Sequence, residues 1–255
     1  LTSLLALLSS PDQQTSATAA QGFSIILGED DILSATNGAT IRLLCRQRLF
    51  TTVTPLISSR IREVNIAGTD DSAAAKKSPD HIKPAHLTAL AGILSTIPTA
   101  LVMPELPTLL PLLLQSLDLQ TADSVAVRIA TLDTLAVIIR DNGVAVIDQC
   151  GHVQSLVTRL LKTTSTSTGP GAVNSPRLRA DALKCLKLLA MHQVPGAVAN
   201  TRAPPGISPL LPVKAQVLRS LRAVLDDPKR DVRKAAVDAR AAWLRGVDDA
   251  PEEDE

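Results

Sequence analysis

The stretch Leu211 to Arg245, LPVKAQVLRSLRAVLDDPKRDVRKAAVDARAAWLR, decides how the rest of the chain is read. Leu218, Leu221, Val224 and Leu225 recur at three- and four-residue spacing, which puts them on one helical face that must be covered. Asp226-Asp227-Pro228 then breaks the pattern. Asp227 can accept hydrogen bonds from the free N–H groups that open a following helix, and Pro228 stands where its missing donor costs nothing. In the second helix Val232, Ala236, Ala239 and Trp243 form one stripe, with small residues at its centre that let a neighbouring helix come close. The unit is a helical hairpin that needs partners.

The same register returns along the chain. Ile82-Lys83, Val127-Arg128, Leu178-Arg179 and Val232-Arg233 are each followed, five positions after the first residue, by Leu87, Leu132, Leu183 or Val237. Three further on stand Leu90, Leu135 and Leu186, but Arg240 in the last unit. The pattern L-x-x-x-L-D-D-P followed by V-R-x-x-A resembles a HEAT repeat, a helix pair that stacks into a solenoid. The offsets are 45, 51 and 54 residues, longer than the roughly 40–47 usual for such repeats, and the excess falls in loops. Arg240 is tolerable in a terminal repeat, which has no following neighbour to cover that site.

Composition agrees with thin helices packed side by side. Phe23, Phe50 and Trp243 are the only aromatic residues in 255, so Leu, Ala, Val and Ile must fill the interior. The net charge of +1 hides an asymmetry: residues 248–255, DDAPEEDE, hold six of the 25 acidic residues, leaving 19 against 26 basic ones elsewhere, a net +7. Such a body could attract nucleic acid, anionic lipid or an acidic protein surface. The tail has nothing apolar to anchor it and is expected to be disordered. Cys45, Cys150 and Cys185 are odd in number and far apart, which fits a reducing compartment. The apolar stretch Ile97 to Leu114 is interrupted by Pro98, Pro104, Pro107 and Pro111 and reads as too broken for a membrane span. The chain opens in mid-helix at Leu1 without a basic leader, so it is expected to be a piece of something longer.

The expected architecture is all-α, a right-handed HEAT-repeat α-solenoid over residues 1–247, with helix pairs at roughly 1–27, 40–97, 104–140, 148–191 and 211–245 and the tail at 248–255. Pro55 should kink the long helix of the second pair, and Pro111 should kink or delay the start of the third. Polar or proline-rich stretches at 65–79, 163–176 and 192–209 read as loops. No stretch alternates at period two, so no sheet is expected.

Enzymatic and metal chemistry find no support in spacing. His81 and His86 are five apart, His152 and His192 are isolated, and no cysteine pairs with any of them. There is no G-x-S-x-G, and Gly169-Pro170-Gly171 lies in a low-complexity loop without a flanking strand. The chain is read as a non-enzyme without a cofactor. The best candidate site is the last helix, where Lys229, Arg233 and Arg240 fall within a narrow arc between the Val232/Trp243 stripe and Val237/Leu244. Arg233 either joins that surface or ties repeats together by pairing with an acid such as Asp226 or Asp227. Trp243 is either an interface anchor or the plug closing the core. Asp231, Lys234 and Asp238 are most simply a solvated charge face. Lys214 to Arg245 also holds nine basic and four acidic residues, enough for phosphate contacts, but lacks aromatics to stack on bases.

The runs His86 to Leu94 (HLTALAGIL), Leu106 to Leu119 (LPTLLPLLLQSLDL) and Leu225 to Trp243 (LDDPKRDVRKAAVDARAAW) resemble the C-terminal region of the Mms-nineteen family. Gly22-Phe23, Gly28-Glu29-Asp30 and Arg46-Gln47-Arg48 are similar to it as well. That family is the HEAT-repeat scaffold of the cytosolic iron–sulfur assembly targeting complex. The resemblance implies a non-catalytic adaptor, cytoplasmic and nuclear, that helps deliver [4Fe–4S] clusters to apo-proteins such as DNA polymerases and helicases. It also implies docking to a small cluster-transfer protein and a WD40 propeller, with no membrane partner, through Lys229, Arg230, Arg233, Lys234 and Arg240. The alternative is a repeat protein that binds nucleic acid directly in DNA repair or transcription.

Overall fold

The computed structural model describes residues 2–28, 43–67, 81–119, 124–149, 151–166, 174–192 and 208–246, and every regular element among them is helical. The expected tail, the connector at 193–207 and most of the loops at 65–79 and 163–176 lie outside the described residues. The chain divides into two compact units, Leu1–Leu119 and Gln120–Glu255.

The first unit contains α1 (Thr2–Leu7), α2 (Gln13–Leu27), α3 (Leu43–Ala67), α4 (Ile82–Thr96), α5 (Thr99–Val102), a 3-10 turn at Met103–Glu105 and α6 (Leu106–Leu117). Asp12 caps the start of α2: its carboxylate accepts the Thr15 N–H at 2.8 Å. α1 folds back on α2 and α3 on α4, while α2 packs on α4 and α3 on α6. α2 and α4 come close because Gly92 lacks a side chain; a Cβ there would stand 3.1 Å from the Cβ of Ser24. α3 contains Pro55 and buries Leu49, Phe50, Val53, Ile57 and Ile61, whereas Leu44 and Leu56, on its periodic pattern, face water. Thr99–Leu117 forms a run of helix long and apolar enough to cross a membrane, despite its prolines. Its leucines at 106, 109, 110, 112, 113, 114 and 117 are all buried, as in the core helix of a folded domain. Pro107 stands in the first turn of α6 and Pro111 inside it, so the start is not delayed.

The second unit contains α7 (Val125–Gln149), α8 (Val153–Thr164), α9 (Pro176–Met191), α10 (Leu211–Val224) and α11 (Arg230–Gly246). α7 runs past the expected end at Arg140 and is broken at Asn142, whose φ of −141° and ψ of 36° are not helical. α8 pairs with α9 and α10 with α11; α7, α9 and α11 then form one layer of second helices, and α8 and α10 one layer of first helices. This two-layer stacking of hairpins is the HEAT arrangement the register implied. In α10 the buried stripe is Val213, Val217, Leu221 and Val224, with Leu218 and Leu225 only half covered. In α11 the predicted stripe of Val232, Ala236, Ala239 and Trp243 is buried throughout.

Candidate docking face on the last helix

The turn before α11 is built around Asp227. Its N–H donates to the carbonyl of Val224 at 3.1 Å, and its carboxylate accepts the Lys229 N–H at 2.8 Å, which starts α11. The same carboxylate receives Arg179 from α9 as a fork, Nε at 2.7 Å and Nη2 at 3.0 Å. Burial raises the Asp227 pKa, but the hydrogen bonds from Arg179 and the Lys229 amide, with the charges of Arg179 and Arg233, outweigh it and hold it below the ordinary carboxylate range.

Arg179 has counterparts at the same register position. Arg128 of α7 donates through Nη2 to Oδ1 of Asn174 at 2.6 Å, in the segment that precedes α9. Asn174 in turn donates to the carbonyls of Lys162 at 3.3 Å and Ser165 at 3.1 Å, occupying acceptors at the end of α8. In the first unit Lys83 of α4 faces the charge of Asp118, just after α6; burial lowers its pKa and Asp118 opposes the shift. Arg128 and Arg179 therefore each bond a polar group in the turn of the following helix pair, and Lys83 feels the charge of one. Only the rule that the second register residue is always cationic was visible in the sequence; the acceptors were not.

Arg233 is the fourth member of this series. Its Nη1 donates to the main-chain carbonyl of Asp227 at 2.7 Å, within its own hairpin. The role of tying one repeat to the next, considered for Arg233, belongs to Arg179. Arg233, Lys229, Arg230 and Lys234 are exposed, Arg240 is half-buried, and none of them pairs with a carboxylate among the described residues. Nε of Arg240 is screened from water with no partner. Asp238 is not merely solvated: it accepts Lys187 of α9 at 3.1 Å, an exposed pair of small energetic weight.

The apolar positions change in parallel. Leu87, Leu132 and Leu183 are buried, as are Leu90, Leu135 and Leu186, whereas the equivalent Val237 is 56% exposed and Arg240 replaces the leucine. Leu244 is 42% exposed. Around the helix at about 100° per residue, Val237 and Leu244 fall between Arg233 and Arg230 on the open side. Trp243, in contrast, is fully buried and its indole N–H donates to the carbonyl of Leu186 at 2.9 Å. It is the plug of the core and leaves the exposed set, because the stripe that carries it is the one pressed against α9. Among the described residues no group of three or more His, Cys, Asp or Glu is placed to hold a metal ion.

Residues 1–190 match the MMS19_C family model, described as RNAPII transcription regulator C-terminal, so α10 and α11 lie beyond the matched part. The chain is 35% identical over 244 residues, 95% of its length, to the mouse MMS19 nucleotide excision repair protein homolog. It is 34% identical over 242 residues to the human homolog, covering 94% of the chain, and 29% identical over 91% of the chain to the fission yeast DNA repair/transcription protein mms19. It spans about a fifth of the length of these relatives, 20% of the mouse protein and 19% of the other two. An engineered protein of known crystal structure aligns over 96% of both chains with a TM-score of 0.48 at 19% identity.

Proposed function

This chain belongs to the MMS19 family, and on that premise we propose that it is a non-catalytic adaptor whose HEAT repeats, over residues 1–247, serve as a docking domain. The open side of α11, with Lys229, Arg230, Arg233, Lys234 and Arg240 around Val237 and Leu244, grips a partner protein. The partners are the targeting subunits of the cytosolic iron–sulfur assembly machinery, a small cluster-transfer protein and a WD40 propeller. Through them the adaptor helps present apo-proteins of DNA replication and repair for [4Fe–4S] loading, in the cytoplasm and the nucleus.

One observation supports this reading: the register leucines buried in the sister hairpins are replaced on α11 by an exposed Val237 and by Arg240, and Arg233 bonds only within its own hairpin. An apolar strip edged by cations, one with an N–H screened from water and unbonded, suits an acidic protein turn of the kind Arg179 already holds in Asp227. The test is charge reversal, Arg233→Glu with Arg240→Glu, followed by capture of the two targeting subunits and a thermal melt. Loss of capture with an unchanged melt is expected; unchanged capture by a folded variant would refute the site. Titration of the chain with duplex and single-stranded DNA at physiological salt separates the other reading, since affinity well below micromolar would favour direct nucleic-acid binding.

A further inference from the structure

A cavity of about 560 Å³ runs between α3 and the α5–α6 segment of the first unit. Its α3 wall is a single stripe: Gln47, Thr51, Thr54, Pro55, Ser58 and Arg62. At 1.5 Å per residue the stripe is roughly 22 Å long. The opposite wall is mainly apolar, with Leu101, Pro104 and Leu109.

Two side chains on this stripe depart from the habit of the rest of the protein. Thr88, Thr131, Thr134, Thr158 and Thr163 each donate to the carbonyl four residues back, the usual resting place of a helical hydroxyl. Thr54 and Ser58 do not. Both residues are more than nine-tenths buried, and their hydroxyl oxygens are shut off from solvent and have no hydrogen-bond partner among the described residues. Native structures seldom leave such groups unmet, since each costs as much as a lost hydrogen bond. Between them Pro55 has no N–H to give to the carbonyl of Thr51, which adds an acceptor on the same stripe.

We propose that this groove seats an extended segment of a partner polypeptide, whose main-chain groups bond the hydroxyls of Thr54 and Ser58. The spacing of the hydroxyls selects this occupant. Thr54 and Ser58 are four residues apart, a rise of about 6 Å, close to the roughly 6.6 Å at which an extended chain repeats its outward main-chain groups. A helix keeps its own N–H and C=O groups bonded internally and would leave both hydroxyls unmet. The rim carries one charge of each sign, Arg62 and Glu105, so recognition falls chiefly to the occupant's backbone and to the apolar wall. A turn of each hydroxyl about χ1 points it into the groove, a motion the absence of any present bond leaves unopposed.

The experiment pans a displayed library of random linear octapeptides against the 255-residue chain, then measures the enriched peptides on wild type and on Thr54→Val/Ser58→Ala. The expected result is an affinity about tenfold weaker on the double variant, with a melting temperature equal to or above that of wild type because no bond is lost. Transferred NOEs should show the bound peptide extended. The proposal is overturned if no peptide is enriched above the bare support, if wild type and variant bind equally, or if the bound peptide is helical. A drop of several degrees in the variant's melting temperature would also overturn it, by showing that the hydroxyls hold the fold.

Discussion

Arg179 and Asp227, 48 positions apart, meet as a two-bonded ion pair whose side chains keep only 7% and 1% of their surface in water. The Arg179 guanidinium has one further bond, from Nη1 to the carbonyl of Asn174 at 2.6 Å. One arginine thus joins the turn before its own helix to the turn of the next pair, which makes it a hinge pin of the second unit. A buried charge whose partner is removed has nowhere to turn, and several consequences can be measured.

Replacing either member alone, Arg179→Met or Asp227→Ala, should cost about 3–5 kcal/mol in chemical denaturation, while Arg179→Met with Asp227→Leu should cost less than either. The pH dependence has a definite sign. The folded pKa of Asp227 lies below its ordinary value of 3.8, so the stabilisation is full above that value and is lost as pH falls through the folded pKa. Wild type and Asp227→Asn should therefore converge in stability towards the acid end. A double replacement worse than both singles would show the pair to matter for more than its charges.

Trp243→Ala should lose about 3–5 kcal/mol, as for the loss of a fully buried large side chain. Trp243→Phe should lose less, about 1–2 kcal/mol, including the bond to Leu186. As the chain's single tryptophan, Trp243 also reports unfolding directly by its fluorescence. If Trp243→Ala leaves the denaturation midpoint unmoved but abolishes partner capture, the plug assignment fails.

Gly143 sits just after the break in α7, and a Cβ added there would overlap the ring of His192 and stand 2.7 Å from its Cβ. Ala for Gly in a helix ordinarily gains up to about 1 kcal/mol. Here overpacking should win, and Gly143→Ala should lose about 1–3 kcal/mol. Adding His192→Ala should restore the loss; a melt that rises on Gly143→Ala alone would contradict the contact.

The thiols should separate by reactivity. Burial pushes the Cys185 pKa up to about 12, and its Sγ lies 3.4 Å from the carbonyl of Leu132, whereas Cys45 is exposed. In a Cys150→Ser background at pH 8, iodoacetamide should label Cys45 in the native chain and Cys185 only after unfolding. Because the folded Cys185 pKa is raised, its contribution to stability is full below the ordinary value of 9.0 and is lost as pH climbs towards 12. Mass spectrometry of the labelled peptides decides the matter, and native labelling of Cys185 would refute its burial.

The hairpin of α10 and α11 could be read from the sequence because every signal in it is local. A three- and four-residue spacing, a capping aspartate and a proline in the first turn act within one or two turns of the chain. The register shared by Lys83, Arg128, Arg179 and Arg233 was legible for the same reason, and so was the buried stripe ending at Trp243. Even locally, periodicity is ambiguous where two faces compete. Leu44 and Leu56 keep the helical period yet are exposed, since a long helix needs only one side covered and periodicity does not name the neighbour.

The sequence sufficed for the helices and most of their apolar faces, which follow from backbone bonding and the removal of nonpolar surface from water. Its silence concerned partners across the stack: that the carboxylate of Asp227 goes to Arg179 and its carbonyl to Arg233, that the Trp243 indole N–H goes to the carbonyl of Leu186, and that Thr54 and Ser58 have no bond among the described residues. Such choices depend on which groups packing brings within about 3 Å after many residues of intervening chain, and a geometric condition of that kind leaves no periodic mark in the order of the residues.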